Sequence, residues 1–416
     1  MKIVIATAVY YPQINGVAVF SHNLAAGLAK RGHEVLVICP SQTGRSYMEI
    51  QGGVKVCYLR SVEAKVYPDQ IHDVPEKRRV LGMVLPRLWY RHGLRVSVFP
   101  SREVAKILGE FKPNVVHVQV SDPIGLSVVG WARKHGVPVV TTEHNQPEVL
   151  TESLKIPGVL KRGANAVLAA YFRNRQSKSD FVTMPTEQAI LNLLSAGKKE
   201  FAVPVAAVSN GVDLKCFKPG RAAMEVYEKY GIPIDKPIAL YVGRVDPEKN
   251  VGSVIKAFTG VVERVPEALL VIVGDGVDKA RLEKMTTNLG ISGSVRFLGK
   301  VLPPDLYELY KTGWVFVTAS EIETQGIVLI EAAACGLPLI AVNKGAVSEV
   351  CIDKVDGFLC EAGDVSAITD ALEKILTDKK LREKFAHKAV EIAEDHDLEK
   401  TLDKFENIYR KVTSGF

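Results

Sequence analysis

The chain has 416 residues, of which 47% are hydrophobic and 24% are charged, and its formal net charge is +6. This length exceeds what one hydrophobic core normally supports, so we expect two domains of about 200 residues each. The composition is ordinary for a soluble globular enzyme. No apolar run approaches the roughly 18–20 residues that span a bilayer, which argues against a membrane-spanning chain.

The cysteines and the N-terminus indicate a cytoplasmic protein. The six cysteines form no Cys-x-x-Cys pair and several lie in apolar segments, which favours reduced, buried packing residues. The chain opens directly into the apolar run Lys2–Thr7, so we expect no signal peptide. Positive charge is concentrated in residues 77–106 and 155–178, and the rest of the chain is net negative.

Short apolar runs alternate with amphipathic helical stretches along the chain. The predicted strands are Lys2–Thr7, Glu34–Cys39, Val54–Leu59, Asn114–Val118, Pro138–Thr142, Phe181–Met184, Ile238–Val242, Leu269–Val273, Val295–Leu298, Trp314–Thr318 and Leu339–Val342. This alternation predicts an α/β protein with parallel, doubly wound sheets. Prolines between residues 204 and 237 separate the two series of strands, which predicts a domain boundary near residue 205.

The turn after the first strand contains Asn15-Gly16 and leads into a helical pattern over 17–31. The dinucleotide fingerprint Gly-x-Gly-x-x-Gly is absent here. Gly16 would still let a phosphate approach the backbone at the start of a helix. The alternative is that Asn15 and Gly16 form only a turn and a helix cap.

The segment Thr141-Thr142-Glu143-His144-Asn145 ends a buried strand, where active-site residues collect in α/β folds. His144 is therefore a candidate functional residue. The alternative is a structural histidine, and the same question applies to His117 in the preceding strand.

Gly243 ends a predicted strand, and the two cations Arg244 and Lys249 follow five residues apart. Departure of a nucleoside diphosphate builds negative charge on its phosphate. A fixed Arg and Lys can neutralise that charge without a metal. The alternative is a solvated loop with a local salt bridge from Arg244 to Asp246 or Glu248.

Glu323 and Glu331 lie eight residues apart, with Gly326 between them at the predicted start of a helix. A turn that enters a helix exposes backbone N–H groups and the positive end of the helix dipole, which suits an anion such as a diphosphate. Carboxylates at such a turn can accept hydrogen bonds from the hydroxyls of a sugar or a ribose.

These motifs resemble those of glycosyltransferase family 4, whose members are retaining enzymes of the GT-B fold. The matches are Glu-x7-Glu at 323–331, Gly-Arg-x-x-x-x-Lys at 243–249 and Thr-x-His at 142–144. The resemblance implies two doubly wound Rossmann-like domains facing a central cleft. It implies an acceptor-binding domain over 1–204, a nucleotide-sugar-binding domain over 205–390, and a C-terminal helix over 391–416 that packs back on the first domain.

The resemblance also implies roles for individual residues. The implied catalytic residues are His144, Arg244, Lys249 and Glu323. The implied donor-binding residues are Gly16, Gly243, Gln325, Gly326, Ile327, Val328 and Glu331. Arg244 and Lys249 would contact the diphosphate, and Glu323 the donor sugar. Glu331 would bind the ribose, and His144 would orient a donor hydroxyl.

The implied activity is that of a hexosyltransferase that uses a nucleoside-diphosphate sugar and retains the anomeric configuration. The expected donor is UDP-glucose, with GDP-mannose as the alternative. The Glu-Thr-Gln-Gly form of the signature resembles the diacylglycerol glucosyltransferase branch. The expected acceptor is therefore a membrane lipid such as diacylglycerol, with a soluble or polysaccharide acceptor as the alternative.

Two basic segments that also contain aromatic residues support a lipid acceptor. The candidate membrane or acceptor contacts are Arg87, Trp89, Arg91, Arg95, Lys161 and Arg162. Basic amphipathic segments suit an anionic membrane surface, which predicts peripheral attachment to the inner face of the cell membrane. The alternative is a solvated basic helix face. No nucleic-acid motif accompanies the charge, so nucleic acid is not expected as a partner.

Two other classes stay open. A nucleotide-sugar 2-epimerase shares the architecture, although the Glu-x7-Glu segment disfavours it. A catalytically silent sugar-nucleotide-binding protein is disfavoured by the intact candidate residues. Asp-x-Asp, a metal–diphosphate signature of another glycosyltransferase fold, occurs only at 395–397 in a predicted charged helix. We therefore expect no essential metal and no other cofactor.

Overall fold

The computed structural model describes residues 1–11, 13, 15–63, 79–80, 83–84, 95–119, 122–144, 147, 151, 156–197 and 200–415. The chain forms two compact units, residues 1–209 with 401–416, and residues 210–400. The first boundary thus follows Ser209 rather than residue 204, and residues 391–400 belong to the second unit rather than to the first. Val212 explains the second difference, since its backbone bonds to His396 O at 2.9 Å and to Leu398 N at 3.0 Å.

The first unit is built on parallel strands. Its described strands are β1 (Lys2–Ala6), β2 (Glu34–Pro40), β3 (Tyr47–Gln51), β4 (Val54–Leu59), β5 (Val62–Glu63), β6 (Arg79–Val80), β7 (Met83–Val84), β8 (Arg95–Val96), β9 (Val115–Val118), β10 (Val139–Thr142), β11 (Phe181–Met184) and β12 (Val205–Ala207). Eight of them form one sheet in the order β12-β11-β10-β9-β1-β2-β4-β3, and β5 pairs with β8 and β6 with β7.

Every pairing in the eight-stranded sheet is parallel except that of β3 with β4. The sequence pattern did not predict β3, because its residues are mostly exposed and no apolar run marks them. The strand is held by backbone pairing and by the rings of Tyr47 and Tyr58, which stack with their centroids 4.4 Å apart. The interior strands are the apolar runs that the sequence predicted.

Helices connect these strands in the described part of the first unit. They are α1 (Gly16–Lys30), α2 (Ser101–Phe111), α3 (Pro123–His135), α4 (Gly158–Gln176) and α5 (Glu187–Gly197). Side-chain oxygens cap two of them: Asn15 accepts from Ala18 N at 2.9 Å, and Asp122 accepts from Gly125 N at 2.8 Å. Such caps satisfy backbone donors that the first turn of a helix leaves over, so the starts of α1 and α3 are stabilised.

The second unit is a Rossmann-like domain. Its strands are β13 (Ile238–Val242), β14 (Leu269–Val273), β15 (Val295–Gly299), β16 (Val315–Val317), β17 (Leu339–Val342) and β18 (Gly357–Cys360). Its helices are α6 (Met224–Tyr230), α7 (Val251–Arg264), α8 (Lys279–Asn288), α9 (Asp305–Tyr310), α10 (Ile327–Ala334), α11 (Val365–Thr377) and α12 (Lys379–Glu394). The last helix, α13 (Leu398–Ser414), begins in this unit and continues in the first. The six strands are parallel in the order β15-β14-β13-β16-β17-β18.

This strand order reverses direction between β13 and β16. In open parallel sheets, ligands bind outside the carboxyl ends of the strands at such a switch point. Both faces of the sheet are buried: Leu270 and Ile272 pack into one apolar cluster, whereas Leu269, Val271 and Val273 pack into another. Burial on both faces explains why these strands are continuous apolar runs, and it confirms the predicted doubly wound α/β fold.

From Thr401 onward, α13 belongs to the first unit. Arg31, just after α1, pairs with Asp403 at 2.7 Å, and His33 contacts Glu406 at 2.7 Å. Tyr409 reaches the sheet, where its hydroxyl lies 2.6 Å from His117 Nδ1. The last helix is therefore part of the first unit's structure.

The Asp-x-Asp sequence lies outside any helix, contrary to the prediction from sequence. Asp395 follows the last residue of α12, and α13 begins at Leu398. The helix is interrupted because His396 O accepts the hydrogen bond from Val212 N. Within the described ranges, no helix is long and apolar enough to cross a membrane.

Candidate active site

The turn after β13 carries the two predicted cations. Tyr241 donates to Arg244 O at 2.7 Å, and Val245 N donates to Asp275 O at 2.9 Å. A Cβ atom on Gly274 would overlap the carbonyl oxygen of Gly243. The Gly-Asp-Gly turn at 274–276 therefore packs directly against the turn that carries Arg244, because a glycine at 274 lets the two backbones approach closely.

Carboxylates of its own turn hold the Arg244 side chain. Its guanidinium pairs with the buried Asp246 and, at 3.0 Å, with Glu248. Asp246 is fixed in turn, since its Oδ1 accepts from Val277 N at 3.1 Å. The local salt bridges that formed the alternative interpretation are thus present. They also orient a guanidinium that is 38% exposed.

Lys249 contacts the predicted carboxylate segment. Its Nζ lies 2.6 Å from Glu323 Oε1 and 3.4 Å from Ile322 O. Both charged side chains are largely withdrawn from solvent, with exposures of 17% and 14%. An ion pair of low exposure is screened less than one at the surface, so the turns after β13 and β16 form one charged site.

The loop before α10 is anchored at its centre. Gln325 is buried, and its Oε1 accepts from Asn210 N at 3.1 Å. Gly326 adopts a left-handed conformation with φ +77° and precedes the helix without a side-chain cap. The amides of Ile327 and Val328 lie in the first turn, which has no intrahelical acceptors for them. This end of α10 therefore presents donors and a positive dipole to an anion.

Glu331 lies one turn into α10. Tyr310, at the end of α9, donates to Glu331 Oε2 at 2.6 Å. Burial raises the pKa of Glu331 to about 7, and the hydrogen bond from Tyr310 opposes this rise. No hydrogen bond to Oε1 is found in the part of the chain that the structure describes. Oε1 of Glu331 can therefore accept a hydrogen bond from a ligand hydroxyl.

In the first unit, His144 follows β10 and is 8% exposed. Its Nε2 lies 3.0 Å from Gln119 Oε1, and the edge of its ring meets Phe20 with centroids 5.3 Å apart. Burial lowers the pKa of His144 to about 4, so the imidazole is neutral at physiological pH. His144 can therefore serve as a neutral hydrogen-bonding group.

His117 is a core residue. It is fully buried and contacts Tyr409 Oη at 2.6 Å and Thr142 Oγ1 at 2.7 Å. Burial lowers its pKa to about 3. Both ring nitrogens of His117 have hydrogen-bond partners within the protein. This favours a structural role for this histidine.

Gly16 is the first residue of α1 and is exposed. Asn15 caps the helix, as the alternative interpretation of this turn supposed. A cap does not exclude a phosphate contact, because it satisfies only one of the amides in the first turn. Gly16 begins the helix that follows β1, and His144 lies two residues beyond β10; both strands belong to the first sheet.

The predicted membrane contacts divide into three groups. Arg87, Trp89 and Arg91 lie outside the described residues. Arg95 donates through Nε to Ser61 Oγ at 2.9 Å and through a terminal nitrogen to Ser61 O at 3.2 Å. This side chain is therefore engaged in the β5–β8 ribbon. Lys161 and Arg162 lie on α4, where Arg162 is exposed.

Tyr310, Gln119 and Tyr241 were missed by sequence reasoning, because nothing in their local patterns differs from ordinary packing residues. Only spatial proximity identifies them. Across the described ranges, no group of three or more His, Cys, Asp or Glu side chains is arranged to hold a metal ion.

Models of known families match both units of the chain. Residues 14–215 match the model of Glycosyltransferase Family 4, and residues 225–391 match that of Glycosyl transferases group 1. The two segments correspond closely to the first and second units and together span most of the chain.

Individual relatives are named for the transfer of different sugars. The chain is 29% identical over 345 residues to an alpha-monoglucosyldiacylglycerol synthase of Acholeplasma laidlawii, which covers 82% of this chain and 80% of that protein. It is 28% identical over 382 residues to a GDP-mannose-dependent alpha-mannosyltransferase of Mycobacterium tuberculosis, covering 91% and 89%. The structure of Anabaena HepE in complex with UDP and glucose is similar in fold, with a TM-score of 0.70, 17% identity and coverage of 98% and 99%.

Proposed function

The chain belongs to the GT-B glycosyltransferases with family 4 and group 1 domains, and we propose that it transfers glucose from UDP-glucose to the hydroxyl of diacylglycerol with retention at the anomeric carbon. The observation that carries the donor half of this proposal is the Lys249–Glu323 pair at the switch point of the second sheet. A cation can stabilise a leaving phosphate and a carboxylate can accept hydrogen bonds from sugar hydroxyls, so the proximity of Lys249 and Glu323 supports a donor site here.

Arg244, Lys249 and the start of α10 act on the diphosphate. Negative charge grows on the leaving phosphate as the glycosidic bond breaks, and cations fixed in advance stabilise that charge without reorganisation. Removing one such group typically costs a factor of about 10²–10³ in kcat. Glu323 binds the sugar hydroxyls, and Glu331 the ribose hydroxyls.

The acceptor oxygen attacks from the face that the leaving phosphate vacates, through an oxocarbenium-like state. The bond from the anomeric carbon to the phosphate oxygen breaks as the new glycosidic bond forms on the same face. The departing phosphate oxygen takes the proton of the acceptor hydroxyl, so no strong protein base is needed. Positioning and electrostatics then supply the catalysis.

The exposed face of α4 supports a lipid acceptor. Leu160, Val167 and Tyr171 are 61%, 70% and 49% exposed and recur at helical spacing along one face. Residues 158–176 contain four Lys and Arg and no Asp or Glu. A helix with exposed apolar residues, basic neighbours and no acid suits the interface of an anionic membrane.

The donor assignment draws on the activities for which similar proteins are named. A monoglucosyldiacylglycerol synthase and a structure solved with UDP and glucose favour a glucosyl donor with uracil. A GDP-mannose-dependent relative at nearly the same identity makes GDP-mannose the competing donor.

The decisive assay measures nucleoside diphosphate release from UDP-glucose, UDP-galactose and GDP-mannose, each with and without diacylglycerol in phosphatidylglycerol liposomes. We expect release from UDP-glucose that depends on diacylglycerol and yields an α-glucolipid. Release without lipid would send the acceptor assignment to soluble compounds, and a changed sugar nucleotide would indicate epimerisation. Near-normal turnover in Arg244→Ala or Glu323→Ala would contradict the proposed donor site.

Membrane attachment has a test of its own. Leu160→Asp with Val167→Asp should weaken liposome binding and liposome-dependent turnover, and leave turnover with a short-chain, water-soluble diacylglycerol intact. Ile50→Asp is the matched control, because Ile50 is 77% exposed on β3 of the same unit. Equal effects of the α4 and β3 substitutions would contradict the assignment of α4.

We also propose that the reaction requires no divalent metal, because Arg244 and Lys249 already carry the charge that a metal would supply at the diphosphate. Turnover should survive EDTA. Loss of turnover that Mg²⁺ or Mn²⁺ restores would overturn this.

A further inference from the structure

Gln119 and His144 lie side by side at the carboxyl edge of the first sheet. Gln119 follows β9 and His144 lies two residues beyond β10, and these strands pair with Thr141 opposite Val118. The backbone is fixed on both sides, since Gln119 N donates to Ala6 O at 2.8 Å and Glu143 N donates to Thr183 O at 2.9 Å. The two side chains are thus held in register by the sheet.

The Gln119 amide and the His144 ring share one hydrogen bond of 3.0 Å, from Nε2 to Oε1. A neutral imidazole has one N–H donor and one lone-pair acceptor, and its hydrogen-bond partner decides which nitrogen is which. In the structure the amide oxygen of Gln119 faces Nε2. Because this oxygen can only accept, that orientation places the hydrogen on Nε2 and the lone pair on Nδ1, whereas a reversed amide would exchange the two. Nδ1 makes no hydrogen bond to any described residue.

A glutamine at position 119 lowers the stability of the fold if it only fills space. It is fully buried, and its Nε2 has no hydrogen-bond partner among the residues that the structure describes. An unsatisfied buried donor typically costs about 1–3 kcal/mol. Reversing the amide would leave its oxygen unsatisfied instead, so neither orientation removes the cost. A leucine would fill the same space without it, which favours a function for the amide.

Resting on the proposed function, we propose that Gln119 is a positioning residue that fixes His144 in the Nε2–H form, so that Nδ1 accepts a hydrogen bond from a hydroxyl of the donor sugar. The histidine then favours a substrate group that donates a hydrogen bond at that position, such as a hydroxyl. It cannot stabilise a group that only accepts hydrogen bonds. Two described titratable groups are related to His144: Glu143 is its chain neighbour, and the neutral His117 on β9 interacts with it electrostatically.

Nitrogen NMR of histidine-labelled wild-type protein tests the tautomer without any need for turnover. We expect the His144 signal, assigned with His144→Gln, to show a protonated Nε2 and an unprotonated Nδ1 at neutral pH. A protonated Nδ1 would overturn the proposal. Because this measurement needs no substrate, it stands even if the proposed donor or acceptor is wrong.

Two variants test the consequence for activity. In Gln119→Glu the new carboxylate stabilises a protonated imidazole, which replaces the Nδ1 acceptor by a donor. The ratio of its kcat/KM to that of wild type should fall at least about tenfold as the pH falls from above to below neutrality, a change of about 1.4 kcal/mol. Gln119→Leu should lower kcat/KM by a factor that does not vary with pH.

The matched control is Gln188→Glu, the same change of charge on α5 of the same unit, where the side chain contacts Asn192. Its ratio to wild type should be independent of pH. A Gln119→Glu ratio as flat as that of the control would show that Gln119 acts only in packing and would overturn the proposal.

Discussion

Lys249 Nζ lies 2.6 Å from Glu323 Oε1, although the two residues are 74 positions apart in the chain. The contact exists because β13 and β16 are neighbours at the switch point of the second sheet, and the turns that follow them meet at its carboxyl edge. The pair is nearly withdrawn from solvent, so the cation is held in place before a diphosphate arrives. Positioning of this kind costs no reorganisation during the reaction.

Lys249→Ala should reduce kcat by a factor of about 10²–10³, because it removes a fixed cation from the leaving phosphate. Steady-state kinetics with the donor varied would measure this. The control is Lys229→Ala, which breaks a 2.5 Å ion pair to Asp305 elsewhere in the same unit. If both variants lost activity to the same small extent, Lys249 would be a local salt bridge and no more.

Tyr310→Phe should make donor binding more sensitive to acid. The pKa of Glu331 is raised to about 7 by burial, and the Tyr310 hydrogen bond holds it from rising further. Removing that bond raises the pKa again, so Glu331 stays protonated to higher pH. The donor KM of wild type should rise as the pH falls through about 7, and that of the variant should begin to rise at higher pH.

The control for this experiment is Tyr230→Phe, which removes a 2.7 Å hydrogen bond from a tyrosine to Asp305 in the same unit. Its donor KM should follow the wild-type pH profile. Superimposable profiles for Tyr310→Phe and wild type would contradict a role for Tyr310 in positioning the Glu331 carboxylate.

Gly345→Ala should disturb Glu323. Gly345 has φ +65°, and a Cβ there would lie 2.8 Å from Glu323 O. Gly363→Ala is the control, because Gly363 has φ +82° but no atom within 4 Å of its Cβ position. Each variant should lose about 1–2 kcal/mol of unfolding free energy from the left-handed conformation. Only Gly345→Ala should also lose turnover, measured at a temperature where both are folded.

Tyr409→Phe should lower stability and spare catalysis. It leaves the buried His117 Nδ1 without its 2.6 Å partner, which should cost about 1–3 kcal/mol of unfolding free energy. Urea unfolding and turnover per folded molecule would measure both effects. A large loss of turnover with unchanged stability would indicate that His117 has a functional role.

Much of the fold could be predicted because its signals are local. Continuous apolar runs such as Leu269–Val273 mark strands buried on both faces, and their alternation with helices leaves few topologies. The strand β3 escaped prediction, because its exposed residues carry no such run and only backbone pairing with β4 defines it.

The glycines, cations and carboxylates of the turns can be read from the sequence, and they define the chemistry that the second unit can offer. Which of these groups are paired depends on the fold, which brings together Lys249 and Glu323, Tyr310 and Glu331, and Gln119 and His144. The fold also distinguishes His117 from His144: both ring nitrogens of His117 have partners, whereas only Nε2 of His144 has one among the described residues. Strand order and burial, which bring distant residues together in a low-dielectric setting, set these partners and the resulting pKa values.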